Sequence, residues 1–326
     1  DSIKTITLSK NFINYSQSIR VPIEIFIYKV FFRFGIRYDY TNCSARIVNQ
    51  VLKGNIEQII LNKGNFINSS TLKFVKEYSP KTKIIYWCED NMFIRQHKTR
   101  NFANSFQFFD YYYSVDRGKN ENSKIKEVKM KKLLDLPTLY HGEIEKGKQF
   151  VNSMSSNLID NKNERSITFI GYFDQERVEY LKYLSENNIK VDVYGNGWKK
   201  VKKSNLKNIT FNNPIYGEDY FNKIRNSFIN LNFIRKLSKD IINNKTVEVI
   251  GSGGFLISEY SDFQNLYFPH EKSAIYFRTK EELLEKIIYV KENPKKILEI
   301  KKYNIKKMEE LNLSTLNMYN KLLDIK

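Results

Sequence analysis

Cysteine, histidine and proline are scarce in this 326-residue sequence, which contains two, three and six of them respectively. The two cysteines, Cys43 and Cys88, lie far apart and form no Cys-x-x-Cys pair. This argues against a structural zinc site and a disulfide framework, and it indicates a reducing compartment. The histidines are scattered, so their spacing indicates neither a metal site nor a nucleophile–base pair.

Long apolar runs are missing as well. No stretch approaches the length of about 20 apolar residues that spans a bilayer. The N-terminal residues also do not show the basic and then apolar pattern of a secretory signal. The sequence begins with Asp1 rather than Met, and we expect further residues upstream of it. A cytoplasmic protein is therefore predicted.

Three common catalytic signatures are absent. The sequence contains no Asp-x-Asp pair, which in many enzymes holds a divalent metal ion. It contains no GxxxxGK[ST] phosphate loop and no GxSxG nucleophile turn. We therefore predict no metal ligands and no organic cofactor.

Positive charge is in surplus, with 54 Lys and Arg against 36 Asp and Glu, a net charge of +18. This surplus favours an anionic partner, which could be a nucleic acid, a phosphorylated small molecule or the acidic inner face of a membrane. The abundance of Lys, Asn and Ile also fits AT-rich coding, in which case the charge has no partner. The sequence leaves both interpretations open.

Short β-rich runs alternate with helical patterns along the chain, which predicts βαβ units and parallel sheets. An Asn/Ser-rich stretch at 151–165 is the expected linker between two doubly wound domains. The predicted extents are 1–155 and 165–310, followed by a terminal helix at 311–326 that packs back on the first domain. The predicted strands are 3–8, 56–61, 83–87, 111–115, 167–170, 191–194, 209–211, 228–233, 254–258 and 274–277.

Two glycine turns follow predicted strands of the second half. Gly171 and Tyr172 end the first strand and precede a helix with Arg177, and Gly195-Asn196-Gly197 ends the next strand. Glycine lets a ligand approach the backbone, and a helix N-terminus attracts an anion. In open parallel sheets, ligands bind outside these strand ends.

A third glycine-rich segment runs from Lys245 through Glu248 to Phe255. In one interpretation, the free backbone amides at 252–255 cradle a diphosphate, while Glu248 accepts hydrogen bonds from ribose hydroxyls. Asp240 stands eight residues before Glu248, so the two acids have an acid-x7-acid spacing. In the other interpretation, the glycines ease a helix-to-strand crossover and Glu248 is an acid near a helix N-terminus. The residues alone favour neither.

Six sequence blocks follow one another in the second half: FIGYFDQER (169–177), VYGNGW (193–198), NITFNNPIYGEDY (208–220), SFINLN (227–232), KTVEVIGSGGFLISE (245–259) and FRTKEELLEKIIYV (277–290). They cover about 120 residues, and weaker blocks precede them at 59–72, 84–91 and 109–116. In this order the blocks resemble group 1 glycosyltransferases of the GT-B fold, in particular the CgeB-like branch.

The resemblance implies roles for individual residues. Glu248 takes the position of the acid expected on the nucleotide ribose, and Asp240 that of a sugar-contacting acid, one methylene shorter than the family's Glu. Lys245 stands where the branch has Arg, so it keeps the charge but loses the bidentate geometry. Asp90 is a candidate acceptor-side base or sugar contact, or else a helix cap. The remaining predicted nucleotide-sugar contacts are Gly171, Tyr172, Arg177, Gly195, Asn196, Gly197, Ile215, Ser252, Gly253, Gly254 and Phe255.

The resemblance implies two Rossmann-like domains facing a cleft, the first of them without the family's opening strand. The expected activity is metal-independent and retaining transfer of a sugar from a nucleoside diphosphate sugar. The acceptor is a glycan, a lipid-linked glycan or a protein, and the basic surplus allows contact with an anionic membrane. Two alternatives stay open: a GT-B-like protein that binds nucleotides without turnover, and a basic nucleic-acid-binding protein.

Overall fold

The fold is taken from a computed structural model, which describes most of the chain. The described residues are 30–32, 34–39, 42–54, 56–88, 92, 98–114, 131–132, 140–154, 166–201, 206–234, 242–314, 317 and 320. The chain divides into two compact units, Asp1–Asp135 and Leu136–Lys326.

The first unit contains a four-stranded parallel sheet in which the strands lie side by side in chain order. Its aromatic core centres on Tyr86, which stacks on Phe109 and Tyr112 and is fully buried. Both cysteines are also buried, and they are not joined in a disulfide. The elements are α1 (Cys43–Leu52), β1 (Gln58–Asn62), α2 (Ser69–Tyr78), β2 (Lys83–Cys88), α3 (Arg100–Ser105), a 3₁₀ turn (Phe106–Phe108), β3 (Tyr111–Ser114) and β4 (Lys131–Lys132).

The second unit contains a six-stranded parallel sheet with the strand order β10-β9-β8-β5-β6-β7. Its elements are α4 (Ile144–Ser153), β5 (Ile167–Ile170), α5 (Gln175–Glu186), β6 (Val191–Tyr194), a 3₁₀ turn (Trp198–Lys200), β7 (Ile209–Asn212), α6 (Gly217–Asn226), β8 (Ile229–Asn232), α7 (Asn244–Gly251), β9 (Leu256–Glu259), α8 (Asp262–Tyr267), β10 (Ile275–Phe277), α9 (Lys280–Glu292) and α10 (Pro294–Leu311).

The strand order of this sheet reverses between β5 and β8. From β5 the chain builds outward to β6 and β7, and it then returns to place β8, β9 and β10 on the other side of β5. The loops that leave β5 and β8 therefore run in opposite directions across the sheet and open a crevice at its carboxyl edge. The site below is built on these two strands.

Helices cover both faces of this sheet, as a buried parallel sheet requires. Successive residues of a strand point to opposite faces, so Leu256 belongs to one hydrophobic cluster and Ile257 to the other. The cluster around Ile257 joins the sheet to α5, α9 and α10, whereas the cluster around Leu256 joins it to α6 and α7. The predicted pair of doubly wound parallel sheets is confirmed.

The boundary between the units lies earlier than the Asn/Ser-rich stretch suggested. The predicted extent of 1–155 places α4 in the first domain, but the helix packs within the second unit, where Lys148 pairs with Glu309 of α10 at 2.7 Å. Because Gly147 has no side chain, the helix also lies directly on the backbone at Gly251. Residues 155–165 of the expected linker lie outside the described residues, so the stretch itself stays a prediction.

Most predicted strands appear within one or two residues of their expected positions. Strand 3–8 and most of the terminal segment 311–326 lie outside the described residues. Helix α10 ends at Leu311, where Asn312 has the left-handed conformation that terminates helices. Among the described residues, no helix is both long enough and apolar enough to cross a membrane.

Lys301 of α10 is a buried cation, with only 2% of its surface exposed. Its ammonium lies 5.3 Å from the centre of the Phe150 ring and 3.8 Å from the Met154 sulfur. Burial lowers the pKa of Lys301 to about 8. Below that pH the folded chain holds a desolvated charge, which costs stability.

We therefore expect Lys301→Met to raise the free energy of unfolding at pH 7, by up to about 3 kcal/mol. The unfolded chain binds this proton up to pH 10.5 and the folded chain only to about 8. Wild-type stability should thus rise with pH between these values, and the advantage of the variant should shrink. Urea unfolding at pH 7 and pH 10 tests this, with the exposed neighbour Lys302→Met as the control. Equal stabilities of wild type and Lys301→Met at pH 7 would contradict it.

Candidate functional site

Arg177 joins the ends of the two strands that flank the switch point. Asp174 begins α5 by accepting a hydrogen bond from the Glu176 amide at 3.0 Å, which places Arg177 in the first turn of the helix. Its guanidinium donates to the carbonyl of Tyr172, after β5, at 2.7 Å and to the carbonyl of Phe233, after β8, at 3.3 Å. One predicted cation thus lies where ligands of such sheets bind.

The two predicted glycine turns pack directly against each other. Gly195 has a φ of 150°, and a β-carbon there would come within 2.0 Å of the Gly171 carbonyl oxygen. The Gly171 amide donates to Tyr194 at 2.8 Å, and the Phe173 amide donates to Asn196 at 2.9 Å. These glycines therefore allow the loops after β5 and β6 to lie side by side.

Exposed aromatic rings flank these turns. Tyr172 follows β5 and is 57% exposed, and Tyr216 precedes α6 and is 69% exposed. The Asn196 side chain donates to the Tyr216 hydroxyl at 3.2 Å, which connects the turn after β6 to the loop after β7. Ile215 lies in the same loop and is partly buried. The structure thus brings Gly171, Tyr172, Asn196 and Ile215 to one edge of the sheet.

Helix α7 begins over the end of β8, where a partly buried amide pair fixes it. Asn232 of β8 donates to the Asn243 side chain at 3.1 Å, and Asn243 donates back at 2.9 Å. Asn243 also caps α7 by accepting from the Thr246 amide at 3.1 Å, and Asn232 donates to Ser258 of β9 at 3.0 Å. These bonds set the position of Lys245 and Glu248 relative to the sheet.

Lys245 and Glu248 face Tyr220, a residue of α6. The Tyr220 hydroxyl donates to Oε2 of Glu248 and accepts from the ammonium of Lys245. That ammonium also lies 4.2 Å from the centre of the Tyr220 ring and 3.9 Å from the Glu248 carboxylate. The side chains of Lys245 and Glu248 are 18% and 19% exposed, so neither is fully enclosed.

The environment of Lys245 weakens its hold on a proton. Burial lowers its pKa to about 8, Glu248 opposes this shift, and the charge of Arg177 adds to it. Two cations and one carboxylate therefore share a partly desolvated edge of the sheet. Such a cluster attracts a polyanion, because a bound anion relieves the repulsion between Arg177 and Lys245.

The glycine turn after α7 does not offer the free amides that the sequence suggested. The turn follows the C-terminal end of the helix, and its amides donate to helix carbonyls: Ser252 to Glu248 at 3.1 Å, Gly253 to Ile250 at 3.1 Å and Gly254 to Val249 at 2.9 Å. Residues 251–255 are all buried. The expected phosphate cradle is thus corrected, and the crossover interpretation fits this turn.

The turn is closed by elements that sequence reasoning did not connect with it. The Tyr140 hydroxyl lies 3.3 Å from the Ser252 hydroxyl, and α4 covers Gly253, where a β-carbon would come within 2.9 Å of the Gly147 carbonyl oxygen. Phe255 is part of the hydrophobic core. These contacts give Ser252, Gly253, Gly254 and Phe255 a role in packing.

Asp90 and Asp240, the two predicted catalytic acids, lie outside the described residues, so their roles stay predictions. The described part of the chain holds no group of three or more His, Cys, Asp or Glu side chains that could bind a metal ion. Tyr220 was missed by sequence reasoning. Its only signal was its place at the end of the block at 208–220, because a single tyrosine on an amphipathic helix shows no pattern.

Comparisons with known proteins agree with this description. Residues 176–311 match a family model described as glycosyl transferase-like. Comparison with curated protein sequences found no match. The CgeB-like branch within the wider group stays a prediction.

Several solved structures are similar to this chain. A UDP-forming alpha, alpha-trehalose-phosphate synthase from Burkholderia xenovorans superposes with a TM-score of 0.61 at 12% identity, covering 89% of this chain and 80% of its own. A glycosyltransferase from Rickettsia africae ESF-5 superposes with a TM-score of 0.59 at 11% identity, covering 96% of this chain and 85% of its own. HepE from Anabaena in complex with UDP superposes with a TM-score of 0.58 at 9% identity, covering 86% of this chain and 80% of its own.

At these identities the superpositions establish the fold, and they agree with the two parallel sheets described above. The chain therefore has a GT-B type fold built from two Rossmann-like units, and its second unit matches the glycosyl transferase-like family over residues 176–311.

Proposed function

We propose that the protein is a glycosyltransferase that uses a nucleoside diphosphate sugar and binds it at the carboxyl edge of the second sheet. The observation that carries this proposal is the position of Arg177, which joins the ends of β5 and β8 beside Lys245 and Glu248. The match to the glycosyl transferase-like family supports it. So do similar structures, one of which contains UDP and another UDP-glucose.

In this proposal the two cations stabilise the diphosphate and the carboxylate holds the ribose. Arg177 and Lys245 face the phosphate oxygens, and Glu248 accepts from the ribose hydroxyls through the oxygen that Tyr220 does not occupy. The bond between the anomeric carbon and the diphosphate breaks, and a bond to the acceptor oxygen forms. The proton of the acceptor hydroxyl leaves to a base, for which Asp90 is the candidate. Charge that develops on the leaving diphosphate is stabilised by the cations already in place.

The proposal has four further parts: transfer with retention, independence of metal ions, an acceptor site in the first unit and a sugar contact by Asp240. The acceptor is a glycan, a lipid-linked glycan or a protein. The second candidate function is binding of the nucleotide without turnover, because Lys245 stands where the CgeB-like branch has Arg. Donor consumption in the presence of candidate acceptors distinguishes the two.

Binding of a nucleoside diphosphate should need no divalent metal, because Arg177 and Lys245 supply the positive charge. Calorimetric titration with UDP, GDP and ADP, each with Mg²⁺ or with EDTA, measures this. We expect at least one nucleotide to bind with a similar Kd in both buffers. Binding that disappears in EDTA would contradict the metal-free part, and no binding of any nucleotide would contradict the proposed function.

Glu248→Gln should weaken donor binding more than it weakens the fold. Loss of the charge weakens hydrogen bonds from two ribose hydroxyls by roughly 1–3 kcal/mol in total, which corresponds to a 10- to 100-fold higher Kd or lower kcat/KM. The matched control is Glu282→Gln, whose carboxylate accepts from the Arg278 amide away from the site. A lowered melting temperature with an unchanged nucleotide Kd would mean that Glu248 is structural.

Nucleotide affinity should fall as pH rises through about 8, because Lys245 then loses its charge. Diphosphate binding favours the charged amine, so above pH 8 the Lys245 amine takes up a proton when the ligand binds. The Kd therefore rises by up to about tenfold per pH unit. The range from about 7 to 9 isolates this effect, since phosphate itself titrates at about 6 and the uracil and guanine rings lose a proton only at higher pH. Lys245→Arg stays charged and should show no decline in this range. A decline of equal size in Lys245→Arg would assign the titration to another group.

A further inference from the structure

Tyr220 occupies the space between the two charged side chains of α7. Lys245 and Glu248 lie three residues apart on one face of the helix, where a lysine and a glutamate ordinarily reach each other. Their charged atoms are nevertheless 3.9 Å apart, beyond hydrogen-bond distance. The tyrosine hydroxyl bonds to both of them. A neutral hydroxyl thus stands where a direct hydrogen bond between the two members of this ion pair would otherwise form.

The hydroxyl leaves each charged group most of its bonding capacity. Among the described residues, the side-chain hydrogen bond to the Glu248 carboxylate is the one from Tyr220, and it uses Oε2 alone. The ammonium of Lys245 has three donors, of which the hydroxyl takes one. A direct ion pair would instead turn the carboxylate and the ammonium toward each other.

The surroundings hold the hydroxyl in this position and in its protonated form. The Tyr220 ring packs edge-on against Phe221, with ring centres 5.1 Å apart, and Phe221 in turn contacts Tyr140 at 6.3 Å. Burial, and then the charge of Glu248, raise the pKa of Tyr220 well above its ordinary value. The hydroxyl therefore keeps a proton to donate to Glu248.

We propose that Tyr220 is a positioning residue whose hydroxyl keeps the Lys245 ammonium and the Glu248 carboxylate apart, so that both stay available to a nucleoside diphosphate. This inference rests on the proposed function for the identity of the ligand. The separation of the two charges, by contrast, is a property of the ligand-free protein. The two parts are measured separately below.

The test variant is Tyr220→Phe, which keeps the ring and removes the hydroxyl. In the ligand-free protein, Lys245 should then hydrogen-bond directly to Glu248, and its pKa should lie above about 8, the value to which burial lowers it in the wild type. The pH dependence of amine acetylation at Lys245, followed by mass spectrometry, measures this titration. UDP is the nucleotide probe, and its Kd should rise about tenfold at pH 7, which corresponds to about 1.4 kcal/mol.

A double-mutant comparison separates positioning from simple packing. In a Glu248→Gln background no carboxylate is left to capture the ammonium, so Tyr220→Phe should change the UDP Kd by less than about twofold. The difference between this effect and the roughly tenfold effect in the wild-type background measures the coupling between Tyr220 and Glu248. The matched control is Tyr276→Phe, which removes a buried hydroxyl that donates to the Phe268 carbonyl at 2.7 Å. This control should lower the melting temperature and leave the UDP Kd and the Lys245 titration unchanged.

An unchanged Lys245 titration together with an unchanged UDP Kd in Tyr220→Phe would overturn the inference, even if the melting temperature fell. Equal effects of Tyr220→Phe with and without Glu248 would also overturn it. If the wild type bound no nucleoside diphosphate, the proposed function would fail. A raised Lys245 titration in Tyr220→Phe would still support the charge separation in that case.

Discussion

The amide pair between Asn232 and Asn243 is the interaction on which the site depends. It is partly buried, it is reciprocal, and it ties the end of β8 to the start of α7. Both amides are further satisfied by Thr246 and Ser258, as buried polar groups must be if they are not to cost stability. Lys245 and Glu248 occupy the first two turns of α7, so their distance from Arg177 follows from this anchor.

The glycines of the second unit serve close backbone packing at two places. Gly195 lets the loops after β5 and β6 touch, and Gly147 lets α4 lie on the turn that follows α7. A side chain at either position would collide with a backbone carbonyl, which cannot move aside as a flexible side chain can. The glycine-rich turn at 251–254 is therefore a packing feature, and the proposed ligand-binding groups lie at the other end of α7.

The charges of the site oppose its stability. Arg177 and Lys245 repel each other, and burial makes the charge of Lys245 more costly. Burial makes the charge of Lys301 costly in the same way on a different helix, where its ammonium lies beside the Phe150 ring and the Met154 sulfur. The difference lies in access: the Lys245 side chain is partly exposed at the sheet edge, whereas Lys301 is enclosed. A buried charge with a perturbed pKa beside an accessible sheet edge is typical of a ligand-binding site.

The sequence by itself determined the α/β class, the two parallel sheets and most strands, because alternation of short β-branched runs with helical patterns reports local structure. It also predicted Arg177, Lys245 and Glu248 as site residues, from their places in the ordered blocks that carry the resemblance. Only the tertiary structure decided that α4 belongs to the second unit, that the amides at 252–254 are already bonded, and that Tyr220 stands between Lys245 and Glu248. The places of α4 and of Tyr220 depend on contacts between residues 25 or more positions apart, for which local periodicity holds no information. The amides at 252–254 are bonded to nearby carbonyls of α7 instead, and the sequence does not show this for a different reason: a glycine run has the same sequence whether it exposes its amides to a ligand or closes the end of a helix.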